Sequence, residues 1–331
     1  MAPLLEIKDL HVEYKTGRAT ANALNGINLT IEKGEALGLV GETGAGKTTI
    51  ALSALKLLPK DVGKVTKGSI RFGDQSILDM SEKKLEEMRG NKISMIFQNP
   101  LSSLNPLFTV GEQISMVLRR HEKLNKKDAL KKAAKLLEMV GIASYRLDDY
   151  PHQFSGGMRQ RVGIAAALAC NPELLIADEP TTALDVTIQA QILELMKELQ
   201  KQRSSSLLMI THNLGIIAEL CQKVAVIYAG TIVEYGTVAE VFTNPRHWYT
   251  KGLLGAIPNL SGPRNRLTFI PGNVANANAL PSGCKFHSRC EHCKEECKTI
   301  MPDMRQVSDE QWVACWKPDM QRTGDRQKVA C

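Results

Sequence analysis

The chain has 331 residues and a mass of 36.4 kDa, with 43% hydrophobic and 23% charged residues and a net charge of +7. This balance excludes an unstructured chain, and the longest apolar stretch, residues 163–169, falls well short of the ~18 residues of a membrane-spanning helix. Glu6, Lys8 and Asp9 stand where a secretory signal needs an unbroken apolar region, so the chain is expected to stay in the cytoplasm.

Residues 4–254 alternate short apolar runs with helical periodicity, which predicts an α/β core. Strands at residues 4–10 and 27–31 read as a polar, antiparallel edge, and residues 35–40 as a buried strand. Gly41, Glu42, Thr43, Gly44, Ala45, Gly46, Lys47 and Thr48 then match G-x-x-x-x-G-K-[ST], between that strand and a helix expected over 49–58. The glycines let backbone N–H groups turn onto phosphates, and the helix start adds positive potential. Lys47 would neutralise the β and γ phosphates and Thr48 would ligate Mg²⁺.

Further along, residues 93–98 read as a strand and 126–140 as a helix inside an insertion. Ser155, Gly156 and Gly157 open another helix and, taken alone, are only a glycine-rich helix start. A strand at 174–178 ends in Asp178 and Glu179, two acids where open α/β sheets bind ligands. Asp178 would hold Mg²⁺ and Glu179 would orient and deprotonate water; as an isolated pair, helix capping is the competing role. Ile188, Ile192, Leu195 and Leu199 predict one apolar helix stripe. Strands at 207–211, 224–228 and 231–235 close the pattern.

After Leu254 the periodicity fades. Pro258, Gly262, Pro263, Pro271, Gly272, Pro281 and Gly283 mark a linker or extended wrap. Residues 251–331 hold 12 basic and 8 acidic groups, which reads as a solvated surface. Cys170 and Cys221 sit alone in apolar surroundings and are expected in the core. Cys284, Cys290, Cys293, Cys297 and Cys315 cluster in what is expected to be a reducing compartment, which points to a metal rather than to disulfides. His287 and His292, nearby, are expected on the surface.

Taken in order, the phosphate loop, Gln98, Ser155–Gly156–Gly157, Asp178–Glu179, Ala183–Leu184–Asp185 and His212 after an apolar strand resemble the ATP-binding subunit of an ABC transporter. The resemblance implies a P-loop ABC-type α/β nucleotide-binding domain over residues 1–255. It would contain a RecA-like core, an antiparallel β subdomain and a helical subdomain at about 99–160. A C-terminal extension would follow over 256–331, with a Cys-rich module at about 283–318.

It also implies ATP held by residues 41–48 and Thr49, with Tyr14 stacked on adenine, although a plain edge-strand tyrosine is the alternative. Gln98 would join Thr48 and Asp178 at Mg²⁺ and sense the γ-phosphate, which His212 would contact. Two subunits would meet head to tail, so that Ser155, Gly156, Gly157 and Asp185 grip the ATP of the mate, which is either a homologous subunit or a second copy. One phosphate loop and no sustained heptads set the chain apart from ABC proteins that act on nucleic acid, and no nucleic-acid partner is expected.

Residues 98–106 with 109–113, and the tail through 247–254, 270–272 and 280–290, resemble the peptide and nickel importer branch. That branch implies two membrane permeases, an external peptide-binding protein and a place on the cytoplasmic face of the membrane. Peptide is the implied cargo, with nickel or another small solute as the alternative. Family spacing selects Cys284, Cys290, Cys297 and Cys315 as ligands and leaves Cys293 as a possible substitute. Four thiolates suit an iron–sulfur cluster or zinc, and spacing does not choose between them; the resemblance favours [4Fe–4S].

Overall fold

The computed structural model describes residues 2–17, 19–98, 104–181, 186–203, 205–256 and 269–318, with side chains of the helix at 186–203 described for 187–198. In chain order the strands are β1 (Leu5–Thr16), β2 (Ala19–Ile31), β3 (Ala36–Val40), β4 (Gly63–Phe72), β5 (Gln75–Ser76), β6 (Ile93–Ile96), β7 (Leu174–Asp178), β8 (Ser206–Ile210), β9 (Lys223–Tyr228), β10 (Thr231–Thr237), β11 (Arg305–Ser308) and β12 (Gln311–Val313). The helices are α1 (Lys47–Ala54), α2 (Glu82–Met88), α3 (Val110–Glu122), α4 (Lys126–Met139), α5 (Gly156–Ala167), α6 (Val186–Arg203), α7 (Leu214–Leu220), α8 (Val238–Thr243), α9 (Trp248–Gly255) and α10 (Glu295–Thr299). No described helix is long and apolar enough to cross a membrane.

Two compact units emerge. The first comprises Met1–Leu4, Ile31–Ala36 and Phe72–Ile210. In it β6, β7 and β8 are parallel neighbours, with Ile93 opposite Leu174 and Leu174 opposite Ser206. All residues of these strands are buried, as expected of a parallel sheet covered on both faces. Helices α3, α4 and α5 pack against one another. Thr109 caps α3 and Asn125 caps α4, each accepting from a backbone N–H three residues on. Their first turns carry Glu112 and Asp128, which favour the positive helix start.

The second unit comprises Leu5–Thr30, Leu37–Arg71 and Thr211–Cys331. Here β3 runs parallel to β9, β9 is antiparallel to β10, β10 to β12, and β12 to β11. The C-terminal strands thus extend a sheet begun at β3. Separately, β2, β1 and β4 lie side by side. Helix α7 fits β3 because Gly38 has no side chain: a Cβ there would stand 2.7 Å from Ile217. In the described part of the segment expected as a linker or extended wrap, the Asn22 N–H donates to the Ala277 carbonyl (2.9 Å) and the Ala275 N–H to the Tyr228 hydroxyl (3.3 Å).

Two expectations need correction. The buried seam of α6 is Ile192, Leu193 and Met196, while Leu195 is half-buried; Leu199 lies outside the described side chains. Cys221 is buried, and its thiol is pushed up to about 12 by burial, whereas Cys170 is only half-buried beside α3.

Candidate functional site

In the second unit the chain leaves β3 at Val40 and enters α1 at Lys47, so the phosphate loop joins a buried strand to a helix start. Gly44 and Gly46 take φ of 82° and 103°, where a side chain is strained. Gly41 has no room for one, since a Cβ would stand 2.2 Å from the Ile227 carbonyl oxygen. The Gly230 N–H holds the loop from outside by donating to the Ala45 carbonyl (2.9 Å). Lys47 is 7% exposed, and its Nζ donates to the carbonyls of Gly41 (2.7 Å) and Glu42 (3.1 Å). Its charge is therefore fixed inside the loop, close to the backbone N–H groups at the start of α1.

Thr48 is exposed and Thr49 buried on the first turn of α1. Tyr14, half-buried on β1, donates its hydroxyl to Thr49 Oγ1 (3.4 Å). His212 is exposed, just after Thr211, whose N–H donates to the Leu39 carbonyl of β3 (3.4 Å).

The first unit holds the acids. Asp178 is 2% exposed at the end of β7, and Glu179 follows it with φ of 48°. That left-handed backbone is costly for a non-glycine residue and tends to be retained where a side chain must be aimed. It is fixed by the Glu179 N–H, which donates to the Ile210 carbonyl of β8 (2.8 Å). Gln98, two residues beyond β6, donates its Nε2 to Glu179 Oε2 (2.9 Å). The structure thus joins Gln98 and Glu179 across a sequence separation of 81.

Ser155 caps α5 by accepting from the Met158 N–H (3.3 Å), and the helix start is open: Ser155 and Gly156 are exposed, and a Cβ on Gly156 would meet nothing within 4 Å. Gln160 of the same helix is buried and donates to the Pro180 carbonyl (2.6 Å), tying α5 to the residue after Glu179. Sequence reasoning missed this link, because a glutamine on a helix carries no motif. Asp185 lies outside the described residues.

In the C-terminal segment, Cys284, Cys290, Cys297 and Cys315 line one small cavity with Phe286, His287 and His292; Cys293 is not part of its lining. The Cys293 thiol instead donates to the Lys294 carbonyl (3.4 Å). Burial pushes the Cys284 thiol up to about 11 and that of Cys315 up to about 12. Among the described residues, no three His, Cys, Asp or Glu side chains converge to hold a single metal ion. A metal-loaded Cys-rich module is therefore not established by this geometry.

The two histidines are half-buried rather than on the surface. His292 stacks on Trp248 with ring centroids 3.4 Å apart, and His287 Nδ1 lies 2.9 Å from the Cys284 carbonyl. Beneath the cavity, Phe286 packs on Tyr228 and Tyr249, and the Tyr249 hydroxyl accepts from the Glu42 N–H (2.8 Å).

The ABC transporter family profile matches residues 24–182, and the profile of the oligopeptide/dipeptide transporter C-terminal region matches residues 233–297. The oligopeptide transport ATP-binding protein OppD of Bacillus subtilis is 49% identical over 316 residues, 95% of this chain and 88% of the relative. The chain belongs to the ATP-binding proteins of this transporter family. The dipeptide transport ATP-binding protein DppD of the same organism is 46% identical, covering 96% of this chain and 95% of the relative. Among solved structures, a dimeric ATP-binding cassette in a post-hydrolysis state with ADP and Pi aligns with a TM-score of 0.65 and 28% identity, covering 71% of this chain and 98% of that one. As an ABC ATPase, the chain has the nucleotide-binding fold of mixed α/β sheets.

Proposed function

We propose that this chain is the ATP-hydrolysing subunit that energises peptide uptake by an ABC importer, pairing with a second ATP-binding subunit. The observation that carries this is the 49% identity to an oligopeptide transport ATP-binding protein over 95% of the chain. The phosphate loop and the Gln98–Glu179 pair support the ATPase chemistry. Residues 1–255 form the nucleotide-binding domain in this reading, with a helical subdomain at about 99–160, and residues 256–331 form the extension. Two membrane permeases and an external peptide-binding protein complete the assembly, so the chain works at the cytoplasmic face of the membrane.

Residues 41–49 grip the phosphates, with Lys47 supplying charge and Tyr14 the adenine platform. Thr48, Asp178 and Gln98 offer hydroxyl, carboxylate and amide oxygens, the donor chemistry that Mg²⁺ prefers, and bound Mg²⁺ neutralises phosphate charge. Glu179 orients and deprotonates the attacking water, and His212 steadies the γ-phosphate. Ser155, Gly156, Gly157 and Asp185 grip the ATP of the mate. The exposed start of α5, where a Cβ on Gly156 would meet nothing within 4 Å, supports that role.

Cys284, Cys290, Cys297 and Cys315 are the ligands we assign to a [4Fe–4S] cluster, with zinc as the alternative. The four thiols line one cavity, and both a [4Fe–4S] cluster and zinc take four-thiolate sites. Such a group, when bound, would crosslink a segment with little apolar core of its own.

Uptake of radiolabelled oligopeptide in cells lacking the chain tests the function. Wild type restores uptake and Glu179→Gln does not. Intact peptide uptake in the deletion strain, alongside lost nickel accumulation, would transfer the assignment to the other cargo.

A further inference from the structure

Glu42 of the phosphate loop is held from two sides, by Arg289 of the C-terminal segment and by Tyr249 of α9. Arg289 lies directly before Cys290 and is 7% exposed. Its guanidinium forks onto the Glu42 carboxylate, Nη1 to Oε2 at 2.7 Å and Nη2 to Oε1 at 3.1 Å. The fork is itself pinned: Nε donates to the Pro271 carbonyl (2.8 Å), Nη2 to the Ile270 carbonyl (3.3 Å) and Nη1 to the Tyr228 hydroxyl (3.4 Å). On the backbone side, the Glu42 N–H is taken by the Tyr249 hydroxyl (2.8 Å).

The remaining polar group of Glu42 faces into the loop. Its carbonyl accepts from the Ala45 N–H (3.1 Å) and from Lys47 Nζ (3.1 Å). The side chain, amide and carbonyl of one residue thus link Arg289 and Tyr249 to the turn that carries Lys47. A bidentate arginine–carboxylate pair fixes orientation as well as distance, which a single point charge does not.

We propose that Arg289 is a positioning residue through which the cysteine-rich segment sets the ATP affinity of the phosphate loop. It never meets nucleotide; it holds Glu42, and Glu42 holds the turn and the lysine. The inference rests on the ATPase reading and adds to it a long-range determinant of nucleotide affinity. A simple anchor for the C-terminal segment would affect stability alone, whereas a positioning residue affects the KM for ATP.

The test measures ATP hydrolysis by the full chain assembled with its natural partner subunits, for wild type, R289M, R289K, E42Q and the double variant E42Q/R289M. Calorimetric melting and thiol counting run alongside. R289M and E42Q should each raise KM for ATP about tenfold, a coupling of ordinary size between linked sites, with kcat nearly unchanged. R289K should recover part of the loss, because an ammonium supplies one point of a two-point fork. The double variant should be no worse than the weaker single variant, since both remove the same contact.

An unchanged KM in an R289M protein that melts like wild type would overturn the proposal, as would fully additive effects in the double variant. Should R289M fail to fold, R289K decides, because it keeps a cation on a long side chain outside the phosphate loop while losing the two-point fork, and an unchanged KM in R289K would then overturn the proposal. Wild type that neither binds nor hydrolyses ATP would refute the ATPase reading instead, so the two failures are distinguishable.

Discussion

In the phosphate loop, eight consecutive residues make the site: Gly44 and Gly46 turn the backbone at φ of 82° and 103°, and Lys47 begins α1. In the C-terminal segment the four thiols come from separate pieces. Cys284 and Cys290 flank the turn containing His287–Arg289, Cys297 lies in α10, and Cys315 follows β12. Backbone sterics within a few residues dictate the first geometry. The second depends on long-range pairing, with Glu234 of β10 opposite Val313 of β12 and Gln311 donating to the buried Glu234 carboxylate (2.7 Å). A local motif withstands changes around it but no change within it. A dispersed site fails when any distant support fails.

Substitutions can break or sharpen that contrast. The largest effect is expected from Glu179→Gln, which keeps the amide partner of Gln98 within reach but removes the base. Turnover measured by phosphate release should fall about a thousandfold while MgATP still binds. Next comes Gly41→Ala in the loop. Its Cβ would collide with the Ile227 carbonyl at 2.2 Å, costing about 1–3 kcal/mol of overpacking and displacing the loop. Fluorescent-nucleotide titration should show binding lost in protein that still folds, and full affinity would refute the rigid-loop account.

For the dispersed site, the proposed cluster assignment predicts iron and visible absorbance in wild type that Cys284→Ser removes and Cys293→Ser, outside the cavity lining, keeps. Anaerobic metal analysis reads the difference, and equal loss in the two variants would refute the ligand set.

The smallest effect concerns Cys221. Burial raises this acid in the folded chain from 9.0 to about 12. The neutral thiol therefore stabilises the fold fully below pH 9, and that contribution is lost as pH rises from about 9 to about 12. Denaturant melts of Cys221→Ala should show a shallower alkaline decline than wild type and little change at pH 7.

Legibility in the sequence follows the same division. Strand β7 was readable to the residue because a run of apolar side chains ends abruptly in two acids, and α4, expected over 126–140 from its apolar spacing, forms over Lys126–Met139. Strand β4 was not readable: in GKVTKGSIRF only Ile70 and Phe72 are buried, so no period of two stands out. The short strands β11 and β12 owe their form to pairing with each other and with β10 rather than to their own pattern. The phosphate loop and Asp178–Glu179 stood out as motifs, whereas Gln98 and Ser155 were singled out only through the family resemblance. The contact of Arg289 with Glu42, 247 residues apart, has no local signature at all.

The central claim is that ATP is held between two ATP-binding subunits. Light scattering on Glu179→Gln with its natural mate, with and without saturating MgATP, tests it most directly. The account predicts a dimer that forms with MgATP and separates when nucleotide is removed. Monomers at every nucleotide concentration would contradict it.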